Sequence, residues 1–182
     1  QQQWMYLENV FSAEDIQRQL PAEFAKFHGM DRFWRETMQK VQKKPAILDN
    51  VSGPELQVKF AESNRQMELV QRMLEDYLEL KRRLFPRFYF LSNDDLLEVF
   101  SQTRNPEAIQ PHLRKCFDNL RAVKFAETEG EKETISAMIS AEPEADPETV
   151  PLTAPVAAKG PVESWLKGIE DAMQKTLFER LS

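Results

Sequence analysis

With only one cysteine, Cys116, among 182 residues, the chain can form no internal disulfide, and its stability has to come from packing. It has no run of 18 apolar residues, so an ordinary membrane-spanning helix is excluded. There are only five glycines, Gly29, Gly53, Gly130, Gly160 and Gly168. None of them opens the Gly-Lys-Ser or Gly-Lys-Thr loop whose backbone N–H groups cradle a nucleotide phosphate. The two histidines, His28 and His112, are too few for an ordinary four-ligand zinc site with Cys116.

What is present is a chain with 41 % apolar residues, enough for a sizeable core in one domain or two small ones. The composition suits a soluble chain in a reducing compartment. The net charge of −6 is unevenly placed. Glu127, Glu129, Glu131, Glu133, Glu142, Glu144, Asp146 and Glu148 are countered locally by Lys132 alone, a sum of −7 that leaves the remainder near +1. No broad basic surface for nucleic acid is implied, and the acidic stretch reads as a solvated loop. The chain starts with Gln and its last helical pattern runs into Ser182, so it is expected to be a piece of something longer.

Most of the pattern is helical. Ser12 followed by Asp15 looks like a capped helix start that Pro21 interrupts. Over 22–44, Phe24, Phe27, Trp34, Met38 and Val41 recur near the helical turn, and 46–55 reads as a turn containing Gly53-Pro54. From about residue 55 to residue 84, Val70, Met73, Tyr77, Leu80 and Leu84 form one stripe, widened by Met67, Leu74 and Leu78. Pro111 is expected to start a helix carrying Leu113, Cys116, Phe117 and Leu120 on one side. Two extended runs, 134–140 and 149–156, read as a hairpin, the second broken by Pro151 and Pro155 as an edge strand would be. Gly160-Pro161 then opens an amphipathic helix with Val162, Leu166, Ile169, Met173, Leu177 and Leu181 on its buried face. The expected fold is mainly α, an elongated helical bundle with one β-hairpin insertion near 134–156. Its expected parts are a bundle over 1–125, an extended segment with an acidic loop over 126–160, and a terminal helix over 161–182 that continues beyond this sequence.

The most informative run is Lys81-Arg82-Arg83-Leu84-Phe85-Pro86-Arg87-Phe88-Tyr89-Phe90-Leu91-Ser92-Asn93-Asp94-Asp95-Leu96-Leu97-Glu98. Pro86 stops a helix whose last residues place cations at its negative pole. Ser92 and Asp95 then form a capping box for the next one. Between them, Phe88 to Leu91 read as an extended segment with Phe88 and Phe90 facing inward and Tyr89 outward. Together with Gln110-Pro111-His112-Leu113-Arg114-Lys115-Cys116-Phe117 and Ser101-Gln102-Thr103-Arg104-Asn105-Pro106, this run resembles the dynein heavy chain, axonemal type, in the linker that precedes the ring of AAA+ modules. The resemblance extends from Trp4-Met5-Tyr6-Leu7-Glu8 to Val162-Glu163-Ser164-Trp165-Leu166. The wide connection 142–148 departs from the tight, glycine-containing turn usual there.

The resemblance implies a mechanical element with no catalytic site of its own. Its partners would be the AAA+ ring of the same heavy chain and the dynein tail with its associated chains, with microtubules reached only through other parts. ATP and magnesium would belong to the full-length motor and not to this segment, and the setting would be the ciliary or flagellar axoneme. No nucleic acid or membrane partner is implied. The alternative is a non-motor helical adaptor that binds partner helices through the stripe from Val70 to Leu84.

Other chemistries leave weaker traces. His112 and Cys116, four apart, could share a metal or form a Cys-His pair, but Cys116 falls on an apolar face. Asp94 and Asp95, with His112, could serve acid/base chemistry, although aspartates at a helix start are also simple caps. Lys81, Arg82, Arg83 and Arg87 beside aromatics imitate a single-strand binding patch. Trp4, Trp34 and Trp165 read as packing residues. No catalytic, cofactor-binding or metal residue is assigned.

Overall fold

The computed structural model describes residues 2–43, 54–126, 133–143 and 145–181. The turn expected over 46–55, save its last two residues, and the acidic residues of 127–132 with Glu144 lie outside the described residues. Within them the chain is mainly helical with one small antiparallel sheet, as its periodicities imply. It divides into two units, Gln1–Tyr77 and Leu78–Ser182, each described by itself.

The first unit contains α1 (Gln2–Val10), α2 (Glu14–Gln19), α3 (Pro21–Lys43) and most of α4 (Pro54–Leu84). Its core is aromatic and aliphatic. Phe11 stacks on Phe27 at 5.4 Å, and Phe60 meets the rings of Phe33 and Trp34 edge-on at 5.5 and 6.0 Å. Trp4 lies 6.0 Å from Trp34 and donates its indole N–H to Asp31 Oδ1 at 3.1 Å, so the ring is packed and its polar edge satisfied. Asp31 also accepts from Arg35, which reaches on to Glu8. The Tyr77 hydroxyl donates to Gln19 of α2.

Two expectations are corrected here. Ser12 does not cap α2: its hydroxyl donates to the Asn9 carbonyl at 2.7 Å, closing α1, and Ala13 stands at the N-cap. On α4 the buried residues are Met67, Val70, Leu74 and Leu78, whereas Met73, Leu80 and Leu84 are exposed. The buried stripe is thus narrower than the apolar pattern.

The second unit begins with the last turns of α4, followed by a 3-10 turn (Pro86–Phe90), α5 (Asn93–Ser101), a second 3-10 turn (Pro106–Ile109), α6 (Gln110–Cys116), strands β1 (Leu120–Phe125), β2 (Thr134–Ser140) and β3 (Thr149–Ala157), and α7 (Val162–Leu181). The capping box holds as expected. Asp95 N–H donates to Ser92 Oγ at 3.1 Å, and Ser92 N–H returns to Asp95 Oδ2 at 3.2 Å.

The segment after Pro86 is not extended. Phe88 N–H donates to the Phe85 carbonyl and Leu91 N–H to the Phe88 carbonyl, at 3.0 and 3.1 Å. A three-residue period therefore replaces the two-residue one. Phe85, Phe88 and Leu91 are buried, while Phe90, 68 % exposed, turns out beside Tyr89.

The expected hairpin is present as β2 and β3, but a third strand joins it in the order β1-β2-β3, all antiparallel. Leu120 belongs to β1 and not to the helix before it. Asn119, in the left-handed region at φ 57°, turns the chain after α6, a conformation asparagine tolerates better than most residues. Its side-chain oxygen and its carbonyl also accept from Glu142 and Ala141 N–H, which fixes the start of the wide β2–β3 connection.

Each outer strand of the sheet is engaged by a side chain at one residue. On β1, the Gln110 amide donates to the Val123 carbonyl at 2.8 Å and accepts from Val123 N–H at 3.0 Å. On β3, Thr153 N–H donates to Thr176 Oγ1 of α7 at 3.0 Å. α7 lies against β3 so closely that a Cβ at Gly168 would stand 3.2 Å from Val156 Cγ1. Its buried residues are Val162, Glu163, Trp165, Leu166, Ile169 and Thr176; Leu177 and Leu181, expected to be buried, are exposed together with Phe178.

Candidate functional site

The densest meeting of charge and core in the second unit is at the end of α4. Lys81 belongs to the last turn of that helix, where the carbonyl pole is negative, and Glu163 to the first turn of α7, where the N–H pole is positive. Each charge is stabilised by its own helix. They meet at 2.5 Å with side chains only 15 % and 10 % exposed. Lys81 Nζ also lies 5.2 Å from the centre of the Phe100 ring. Six residues further on, Arg87 donates to Glu170 Oε1 at 2.8 Å and to the Cys116 carbonyl at 3.0 Å, with its guanidinium 4.9 Å from the centre of Phe117. Glu170 is held below its ordinary value by Lys167 first and by Arg87 second, so the pair stays charged at neutral pH.

Arg82 completes the arrangement. It donates to the Leu91 carbonyl at 3.2 Å and to Asn93 Oδ1 at 2.8 Å, bracing the 3-10 turn against the start of α5. Inside the turn, Phe88 meets Phe85 and Phe100 edge-on at 5.0 and 5.7 Å. Three of the four cations that imitated a single-strand binding patch are thus committed to protein partners, and Arg83 pairs with Glu79 at 3.5 Å. What the arrangement does physically is fasten a helix end to a turn and to a second helix.

The residues weighed for other chemistry lie elsewhere in this unit. Burial pushes the Cys116 thiol up to about 11, which leaves almost no thiolate at neutral pH. Asp95 lies beside His112, with Oδ1 3.6 Å from Nδ1, whereas Asp94 is exposed on the surface. Lys115, which donates to both Asp95 oxygens at 3.0 and 2.9 Å, together with Ser92, holds the Asp95 carboxyl down to about 2. Such a carboxylate is a poor proton acceptor at neutral pH. Among the described residues, no group of three or more His, Cys, Asp or Glu side chains is placed to hold a metal ion, and no helix is long and apolar enough to cross a membrane. Trp165 is buried, as a packing residue would be.

The Lys81–Glu163 and Arg87–Glu170 pairs were not foreseen from the sequence. Their partners are 82 and 83 residues apart, beyond the reach of any local spacing rule.

The whole chain, residues 1–182, matches the family model described as "Dynein heavy chain, N-terminal region 2". It is 46 % identical over 181 residues to "Dynein axonemal heavy chain 2" of Mus musculus, covering 100 % of this chain and 4 % of that one. Against "Dynein axonemal heavy chain 6" of Homo sapiens it is 46 % identical over 188 residues, covering 97 % of this chain and 4 % of the relative. Against "Dynein axonemal heavy chain 3" of Homo sapiens the identity is 42 % over 183 residues, with 97 % and 4 % covered. The chain therefore spans about 4 % of the length of these curated relatives.

Proposed function

The chain belongs to the dynein heavy chain family, within its N-terminal region 2, and on that premise we propose that it is a segment of the linker of an axonemal dynein. In this reading it transmits force between the AAA+ ring and the tail of the same heavy chain. Nucleotide chemistry and microtubule contact belong to other parts, and the site of action is the ciliary or flagellar axoneme.

The observation that carries the reading is the buried fastening of α4 to α7. A helix of 31 residues is about 46 Å long at 1.5 Å per residue, a length suited to carrying load along its axis. Load reaching the end of a helix is passed on only if that end is held. Lys81–Glu163 and Arg87–Glu170 hold it with charge, and Phe85, Phe88 and Phe100 with close packing that transmits strain.

The test is Glu163→Gln in the complete motor, with microtubule gliding and ATP turnover measured on the same preparation. Gliding is expected to slow more than turnover, because the change softens a mechanical joint and leaves the nucleotide sites untouched. A fall of both in equal proportion refutes the reading. Removing one partner of a buried pair costs about 3–5 kcal/mol, so the uncharged double replacement Lys81→Met with Glu163→Leu serves as the folding control. It should recover most of the stability.

A further inference from the structure

Within the first unit Arg18 pairs with Glu14, Arg32 with Glu36, and Arg35 with Asp31 and Glu8. Among the described residues, Arg65 and Arg72 of α4 have no such partner. Glu68 stands four residues before Arg72, a spacing that ordinarily brings the two side chains together, yet no ion pair joins them. Glu62, three residues before Arg65, instead accepts from the Gln66 amide at 2.9 Å. Lys26 of α3 is likewise without a carboxylate partner among the described residues. These three cations line one open hollow of about 590 Å³ between α3 and α4, together with Glu62, Gln66, Glu68 and Leu69. Leu69 is 41 % exposed.

The spacing sets what fits there. Arg65, Leu69 and Arg72 are four and three residues apart, so they share one face of α4, with the leucine between two arginines about 10 Å apart along the axis. That face is separate from the buried stripe of Met67, Val70 and Leu74, and a partner can reach it without opening the core. We propose that it docks an acidic amphipathic helix of a partner protein: carboxylates two turns apart engage Arg65 and Arg72, an apolar side chain between them rests on Leu69, and Lys26 meets the same helix from the α3 side. Charge complementarity selects the partner, because three unpaired cations on a chain of net charge −6 are a local reversal of sign. Two features favour a protein helix over nucleic acid. Leu69 offers an apolar contact that a phosphate backbone does not use, and Glu62 and Glu68 repel a continuous polyanion while tolerating acids spaced two turns apart.

The probe is a fluorescein-labelled designed helix of about 20 residues, alanine-rich, with glutamates two turns apart and a leucine between each pair, titrated with the whole chain and read by anisotropy. Its counterpart with glutamines in place of the glutamates should bind at least about tenfold more weakly. Arg65→Ala combined with Arg72→Ala should weaken the acidic helix at least about fivefold, the loss of two exposed charge contacts, and Leu69→Gln should weaken both helices. All three positions are exposed, so the variants should melt as the unaltered chain does. Raising the salt from about 50 to about 200 mM should weaken the acidic helix and leave the neutral one unchanged. Equal binding of the two helices, or binding of the acidic one that the double variant leaves unchanged, overturns the proposal. Tighter binding of single-stranded DNA of equal charge would assign the face to a polyanion, and a dimer of the chain that the double variant dissolves would assign it to a second copy. Either result overturns it as well.

Discussion

Phe88 and Phe90 differ by two positions in the chain and by everything in environment, which makes them a sharp pair for mutation. Phe88 is 0 % exposed and meets Phe85 and Phe100 edge-on; Phe90 is 68 % exposed. Truncating a buried phenylalanine costs about 3–5 kcal/mol through lost transfer energy and the cavity left behind. Here the loss should fall in the upper half of that range, because two edge-on aromatic pairs, each worth about 0.5–1.5 kcal/mol, go with it. In urea, with a slope of about 2 kcal/mol per molar, Phe88→Ala should lower the unfolding midpoint by about 2 M. Phe90→Ala removes surface already in water and should shift it by less than about 0.3 M. Equal shifts would refute the three-residue period of the turn and restore an extended segment with both rings inside. A larger loss for Phe90 would mean that the turn is rotated about its axis.

Two further outcomes follow from the charges and the thiol. Asp95 is held down to about 2, and with solvent screening of the half-exposed Lys115 its capping and lysine contacts contribute on the order of 1 kcal/mol. That contribution should be fully present above about pH 4 and lost as the pH falls through about 2. Asp95→Asn should remove the corresponding steepness from an acid-unfolding curve, and an unchanged curve would rule out Asp95 as its source. Cys116, buried and pushed up to about 11, should resist alkylation by iodoacetamide at about pH 8 in the native protein and react promptly in denaturant. Fast native labelling would show that the end of α6 opens readily.

What could be read from the sequence was mostly what local chemistry decides. The stop at Pro86 and the Ser92–Asp95 box rest on residues within a few positions of one another, the β2–β3 pair rests on two successive extended runs, and all are present. The structure departs from the sequence pattern where two periods compete over a short run. Five residues after Pro86 cannot distinguish a two-residue alternation from a three-residue turn, and Leu120 continues a helical spacing that Asn119 ends by its backbone conformation. The stripes on α4 and α7 failed differently. Periodicity identifies an apolar face but not its cover, so Leu80, Leu84, Leu177 and Leu181 match the pattern and are nevertheless exposed. The site was the least legible part. Four cations near a helix end were visible, but that Lys81 and Arg87 choose Glu163 and Glu170 depends on how the chain folds back after the sheet.

The side chains set against the outer strands of the sheet have a consequence for the chain as a neighbour. An open strand edge is a template, and any extended peptide nearby can lengthen it. On β1 the Gln110 amide offers Val123 the same donor and acceptor that an arriving strand would bring, while on β3 Thr176 engages Thr153 and Pro151 and Pro155 lack the N–H that pairing needs. At these positions the sheet ends itself. A sheet built this way can be crowded against many copies of itself without offering those backbone groups as the seed of a shared one.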